Sequence, residues 1–187
     1  MALAKDAQAT RDRLVAAARA EFSRQGFERT TVREIAAAAG VNPALINRYF
    51  GGKERLFAEA VAIEIDFPDL SRTPRGDIGR ALIRHFFARW DGGDGDDVLR
   101  VLIGTAATND EGAARIRDIL SGQIEPMVAR ATGSDRARER ACLIATQILG
   151  LAYVRYVLAL PDTDLPPETV SEAVGETIQR YLFAPLP

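Results

Sequence analysis

The chain is poor in the residues that build metal sites and disulfides. Its 187 residues include one cysteine, Cys142, and one histidine, His85. A lone thiol excludes an internal disulfide framework and any cysteine-based zinc cluster. With one imidazole besides, a metal site would have to rely on carboxylates. A Ser-His-Asp triad would likewise have to use His85, and no nucleophile setting lies near it. Nucleophile elbow, phosphate loop and paired-carboxylate motif are all missing, so neither enzymatic activity nor a cofactor nor a metal is expected. The opening MALAKDAQATRDR has no apolar stretch of the kind a secretory signal needs, which predicts a cytoplasmic protein. Alternating β-branched runs are also absent, which excludes sheet and predicts an all-α fold.

What is present is ordinary globular material, 47% hydrophobic and 27% charged, enough for a sizeable core. The net charge of −2 conceals an asymmetry, because residues 1–55 hold ten Lys/Arg against six Asp/Glu. A basic head on an acidic body suits a polyanion at one end only. Leu14, Ala18 and Phe22, with Val15 beside them, give a first helix its apolar stripe, and Gly26 is placed to end it in a left-handed cap. Thr30 or Thr31 offers a side-chain oxygen as N-cap of a second helix, about 32–39, with Glu34 three residues after Thr31 as in a capping box and Val32, Ile35, Ala36 and Ala39 inward. Gly40 breaks that helix. Asn42 caps a short third helix that begins at Pro43, where a missing N–H costs nothing, and ends at Phe50 before Gly51 and Gly52. A fourth helix runs from Lys53 to about Ile65.

Five further helices are predicted near 77–90, 97–108, 112–131, 135–160 and 167–182, with Pro126 kinking or splitting the third. The acidic stretch from Asp91 to Asp97 resembles a calcium loop but has Leu102 or Thr105 where the closing carboxylate belongs, so it reads as a solvated turn. Residues 141–160 carry one charge, Arg155. In a bilayer that arginine would cost roughly 2.5–3.5 kcal/mol. A core helix whose outer face meets a second subunit needs the same composition, and no membrane contact is expected. Val170, Val174, Ile178 and Leu182 form a stripe on the last helix, ready to pack against helix 135–160 and a twin pair.

Two short helices joined by a glycine turn, the second with a polar outer face, form the reading unit of helix-turn-helix proteins. If Ile46 and Phe50 face the core, Ala44, Asn47 and Arg48 point outward. Arg48 can pair with guanine O6 and N7, Asn47 with adenine, and Ala44 can touch a thymine methyl, with Leu45 at the boundary. Thr31, Arg33, Tyr49 and Lys53 are placed for phosphate, and Asn42 and Pro43 at the start of the third helix complete the expected DNA-binding set. Each also reads as a cap or a surface residue.

Residues 10–57 resemble the N-terminal domain of the tetracycline-repressor (TetR) family. The likeness rests on TVREIAAAAGVNPALINRYFGGKERLF, Thr31 to Phe57, preceded by Gly26-Phe27. It covers about a quarter of the chain. It implies about nine helices, a homodimer through the last two, an effector pocket in the body, and a bacterial regulator, usually a repressor released from DNA by a small molecule. Many members have an aromatic, then a basic or aromatic residue, then His before the closing Phe. Asn47, Arg48 and Tyr49 stand there instead, which moves phosphate contact by tyrosine to Tyr49 and leaves Asn47 for a base.

The expected division is therefore a DNA-binding domain at 1–55 and an effector-binding and dimerisation domain at 56–187. Its partners would be a double-stranded, pseudo-palindromic operator, a small-molecule effector, and a second copy through 135–160 and 167–182. Polar or aromatic residues that interrupt apolar faces are the candidate pocket lining: His85, Phe86, Trp90, Thr105, Asn109, Gln123, Met127 and Gln147. The aromatics read equally as core, and Asn109 as a helix C-cap. The competing function is a ligand-binding or enzymatic helical dimer in which the helix-turn-helix is incidental.

Overall fold

A computed structural model describes residues 2–92, 96–161 and 165–186. Among the described residues the fold is all-α, and nine helices follow one another. They are α1 (Ala2–Arg29), α2 (Val32–Ala38), α3 (Ala44–Phe50), α4 (Lys53–Ala60), α5 (Ile78–Trp90), α6 (Asp96–Thr105), α7 (residues 110–132), α8 (residues 137–157) and α9 (Pro167–Phe183). The chain resolves into two compact units, Met1–Ile63 with Asp97–Ile116, and Glu64–Asp96 with Arg117–Pro187. No described helix is long and apolar enough to cross a membrane.

In the first unit the apolar stripe of α1 is buried as its spacing predicts, with Leu14, Ala18 and Phe22 at 1% exposure or less. Phe22 meets Phe57 edge-on at 5.2 Å, and Phe27 closes the cluster at 4.8 Å from Phe57. Gly26 breaks α1 with φ 79°, the sign expected, although its ψ of 168° is extended and not left-handed helical. The capping box of α2 is present: the Glu34 amide donates to Thr31 Oγ1, and the Thr31 amide donates to Glu34 Oε2 at 2.8 Å.

Helix α4 stops at Ala60, short of the predicted Ile65. The carbonyls that would continue it are taken by side chains. Arg19 donates to the oxygens of Ala60 (2.7 Å) and Ala62 (3.2 Å), and Arg115 donates to that of Ile63 (2.7 Å). Helix α6 ends at Thr105, earlier than predicted, because the Thr108 amide folds back to the Thr105 carbonyl. Asn109 is an N-cap and not a C-cap: its Oδ1 accepts from the Gly112 amide at 2.8 Å, so α7 starts two residues before the expected 112.

The second unit is built on α5, α8, α9 and the rest of α7. Pro126 does not split α7. Residues Leu120–Ile124 widen into a π-turn in which the Glu125 amide reaches the Leu120 carbonyl, and the helix resumes through Pro126. Widening just ahead of the proline relieves the ring clash with the preceding turn. A second π-turn, Tyr153–Val157, closes α8 three residues before the predicted 160, and Ala159 at φ 49° turns the chain away.

The stripe of α9 is buried at Val170, Ile178 and Leu182. It packs on α8 and, more extensively, on α5, a partner the stripe did not announce. Gly79 and Gly175 make that crossing possible, since a Cβ on Gly79 would lie 2.1 Å from the Gly175 carbonyl oxygen. Gln179 secures it by accepting from the Gly79 amide and donating to the Arg75 carbonyl. Just beyond, Arg140 of α8 donates to the carbonyls of Tyr181 and Ala184, a cation at the C-terminus of α9. Of the acidic stretch 91–97, Gly93, Asp94 and Gly95 lie outside the described residues. Among those described, no cluster of His, Cys, Asp and Glu could hold a metal ion.

Candidate nucleic-acid interface

Helices α2 and α3 are joined by a turn whose backbone closes both ends. The Val41 amide bonds the Ala36 carbonyl and the Gly40 amide bonds that of Ala37, a Schellman arrangement. It needs a left-handed residue, and Gly40 at φ 66° supplies it. Asn42 Oδ1 then accepts from the Ala44 amide at 2.9 Å, and Pro43 already has helical backbone angles. Asn42 is thus the expected cap, acting one residue ahead of the first full helical position.

Helix α3 separates its faces sharply. Ile46 and Phe50 are buried, whereas Ala44, Asn47 and Arg48 are exposed on the opposite side with Asn42 and Pro43. Leu45 and Tyr49 are half-buried at the margins. Three exposed residues at i, i+3 and i+4 form one contiguous stripe, wide enough for three adjacent base edges. Thr31 and Arg33 are also exposed, at the start of α2.

Lys53 occupies a different position from a free cation. Its ammonium donates to the carbonyls of Phe27 (2.9 Å) and Thr30 (3.1 Å) and sits 4.2 Å from the centre of the Phe27 ring. It clamps the start of α4 to the turn between α1 and α2. Arg11 stacks on Phe50 at 5.1 Å and pairs with Glu59, which braces α3 from behind. The sequence pattern did not single out Arg55, which is exposed and folds its side chain against Gly51 at the end of α3. Its signal was the run Lys53-Glu54-Arg55 directly after the glycine break.

The candidate sensing residues do not share one unit: Thr105 and Asn109 belong to the first, the other six to the second. Asn109 is used as a cap, and Gln123 Oε1 accepts from the Ile65 amide at 2.6 Å. Phe86 and Trp90 are buried in an aromatic cluster with Tyr156, which stacks on Trp90 at 4.4 Å. The Tyr156 hydroxyl donates to Asp91 at 2.8 Å; burial, then this bond, raises its pKa above the ordinary tyrosine value. Arg155 lies over Phe87 at 5.1 Å. Sixty-five residues separate Tyr156 from Asp91, and no sequence signal connects them. Met127 is buried, while His85 and Gln147 are half-buried. Burial, and next the charge of Arg89, lower the His85 pKa, opposed by Asp66.

Two family descriptions match this chain. "Bacterial regulatory proteins, tetR family" covers residues 14–60, and "Tetracyclin repressor-like, C-terminal domain" covers residues 77–182. The chain belongs to the TetR family. Its regulator class follows, and the second match extends the likeness through the body, where the sequence motif was silent. A TetR-family regulator of Streptomyces coelicolor A3 has a solved structure with 30% identity and a TM-score of 0.58, over 92% of this chain and 94% of that one. The TetR chain is 37% identical over 76 residues to an HTH-type transcriptional repressor of the same species, covering 36% of this chain and 40% of the relative. It is 50% identical over 54 residues to the HTH-type transcriptional dual regulator CecR of Shigella flexneri, covering 29% of this chain and 24% of the relative. The chain thus aligns with less than half the length of either curated relative.

Proposed function

We propose that this TetR-family regulator is a cytoplasmic repressor that binds a pseudo-palindromic operator as a homodimer and is released by a small molecule. The observation that carries the reading is the exposed stripe of Ala44, Asn47 and Arg48 on α3, held by Ile46 and Phe50 buried on the opposite face. In the proposed division, residues 1–55 bind DNA. Arg48 and Asn47 read base edges, Ala44 and Leu45 make apolar contact, and Thr31, Arg33, Asn42, Pro43 and Tyr49 position the backbone. Lys53 joins them through the one N–H its clamp leaves over.

Residues 56–187 bind the effector and the second copy. Support for the dimer comes from α8, where Cys142, Thr146, Gly150 and Tyr153 are exposed and residues 141–154 carry no charge. An uncharged outer face of that length favours self-association over solvent. Two recognition helices must stand about one DNA turn apart, or a multiple of it, to enter successive major grooves. An effector that prefers a different spacing of the heads withdraws population from the DNA-bound state.

Fluorescence anisotropy with DNA from upstream of the chain's own coding region tests the reading. Sequence-selective binding with a steep salt dependence is expected. Binding that is absent, or equal for scrambled DNA, would overturn it and favour a helical dimer with an incidental helix-turn-helix.

A further inference from the structure

We propose that the small molecule received by this chain carries a carboxylate, held by Arg89 and His85 of α5. The proposal rests on the reading above that the body binds an effector, and it names the chemistry of that effector. His85 Nε2 and Arg89 Nε are buried and have no hydrogen-bond partner among the described residues. A buried polar atom without a partner costs free energy, and such atoms are rare in a folded protein unless something else satisfies them. These two lie four residues apart on one helix, so they share a face. By the same spacing Leu82 and Phe86 flank them, both buried, so the polar pair is set in an apolar stripe.

The third buried orphan, Arg115 Nε, differs: its guanidinium already serves the Ile63 carbonyl. No such use binds Arg89 among the described residues. A guanidinium presents parallel N–H groups that match the two oxygens of a carboxylate. An arriving carboxylic acid passes its proton to His85 Nε2, because the other ring nitrogen already meets the Asp66 backbone, and the new N–H donates to the carboxylate left behind. Charge decides between anions. Once the acid is bound, Arg89 and the protonated His85 set two positive charges against the negative charge of Asp66 in the same surroundings. One net cation with a carboxylate nearby suits a monoanion and disfavours a phosphate dianion. The apolar stripe suits a hydrocarbon or aryl remainder.

The chain's only tryptophan, Trp90, adjoins Arg89 and reports on the site. Matched probes separate the charge from the apolar body: decanoate against decanol, and 4-phenylbutyrate against 4-phenylbutanol. The full-length protein is titrated with each, following tryptophan fluorescence and thermal unfolding. At least one carboxylate is expected to bind tenfold or more tightly than its alcohol. Arg89→Met is expected to abolish that preference and leave alcohol binding and operator affinity unchanged. The unliganded variant should melt no lower than the parent, because no hydrogen bond is lost. Equal affinity for acid and alcohol would overturn the proposal, as would failure of both acids to bind. An Arg89→Met protein that melts lower and still prefers the acid would overturn it too, assigning Arg89 to structure. Operator binding, measured in parallel, is independent of each of these outcomes. A failed carboxylate preference with intact operator binding therefore removes the ligand class and leaves the regulator.

Discussion

Replacing Lys53 by methionine tests how the DNA-binding head is held together, because methionine keeps the apolar stem and removes the ammonium. The half-buried ammonium donates to the Phe27 and Thr30 carbonyls and rests on the Phe27 ring. Hydrogen bonds to a charged group contribute roughly 1.5–3 kcal/mol, and a partly exposed cation–π contact roughly 0.5–1 kcal/mol. Releasing the side chain returns up to about 2 kcal/mol of entropy to the variant. Two such bonds and the ring contact, less that entropy and less the water that already solvates a half-exposed ammonium, leave a net loss of roughly 1–3 kcal/mol. For a chain of this size that lowers Tm by about 2–12 °C. Thermal unfolding by circular dichroism, without DNA, reads the loss directly. Operator binding well below Tm should then fall alike for all sequences, with a salt slope reduced by about one. An unchanged Tm would refute the clamp and leave Lys53 a phosphate contact alone.

Arg48→Ala is expected to weaken operator binding by roughly 1–3 kcal/mol and relax preference at one base position, read by anisotropy against single-base operator variants; a sequence-blind loss would remove its assigned role. Gly79→Ala places a methyl 2.1 Å from the Gly175 carbonyl oxygen and 2.7 Å from the Gln179 amide nitrogen. Backbone atoms cannot step aside, so overpacking should cost roughly 1–3 kcal/mol in a urea melt. Gly122→Ala, with nothing within 4 Å of the new methyl, should not destabilise, and equal behaviour of the two would refute the close crossing. The backbone and hydroxyl of Thr31 lower the Glu34 pKa. A lowered carboxylate pKa contributes stability that is full above the unfolded value and fades as pH falls through the folded one. The Tm difference between the parent and Glu34→Gln should accordingly be largest near neutrality and vanish in acid. A difference that persists in acid would show that geometry, not charge, carries the cap.

The head is largely legible in the order of its residues, because its signals are local. A cap acts within three residues, a left-handed glycine acts at its own position, and the alternation of buried Ile46 and Phe50 with exposed Asn47 and Arg48 is a property of one short helix. The same locality makes the all-α class readable from periodicity alone. Where sequence patterns mislead, distant groups intervene. Helix α4 ends at Ala60 because Arg19, forty-one residues earlier, takes its last carbonyl. Lys53 becomes a clamp because Phe27 and Thr30 fold beneath it. The stripe of α9 announces that it will be buried but not against what, since a row of aliphatic side chains fits any apolar face. Only the matching glycines, Gly79 and Gly175, select α5. The sequence by itself determined the succession of helices and the residues that α3 exposes, since both follow from neighbours along the chain. Tertiary structure alone decided where α4 stops, what α9 covers and which buried nitrogens on α5 are left without partners, since those depend on groups that only folding brings together.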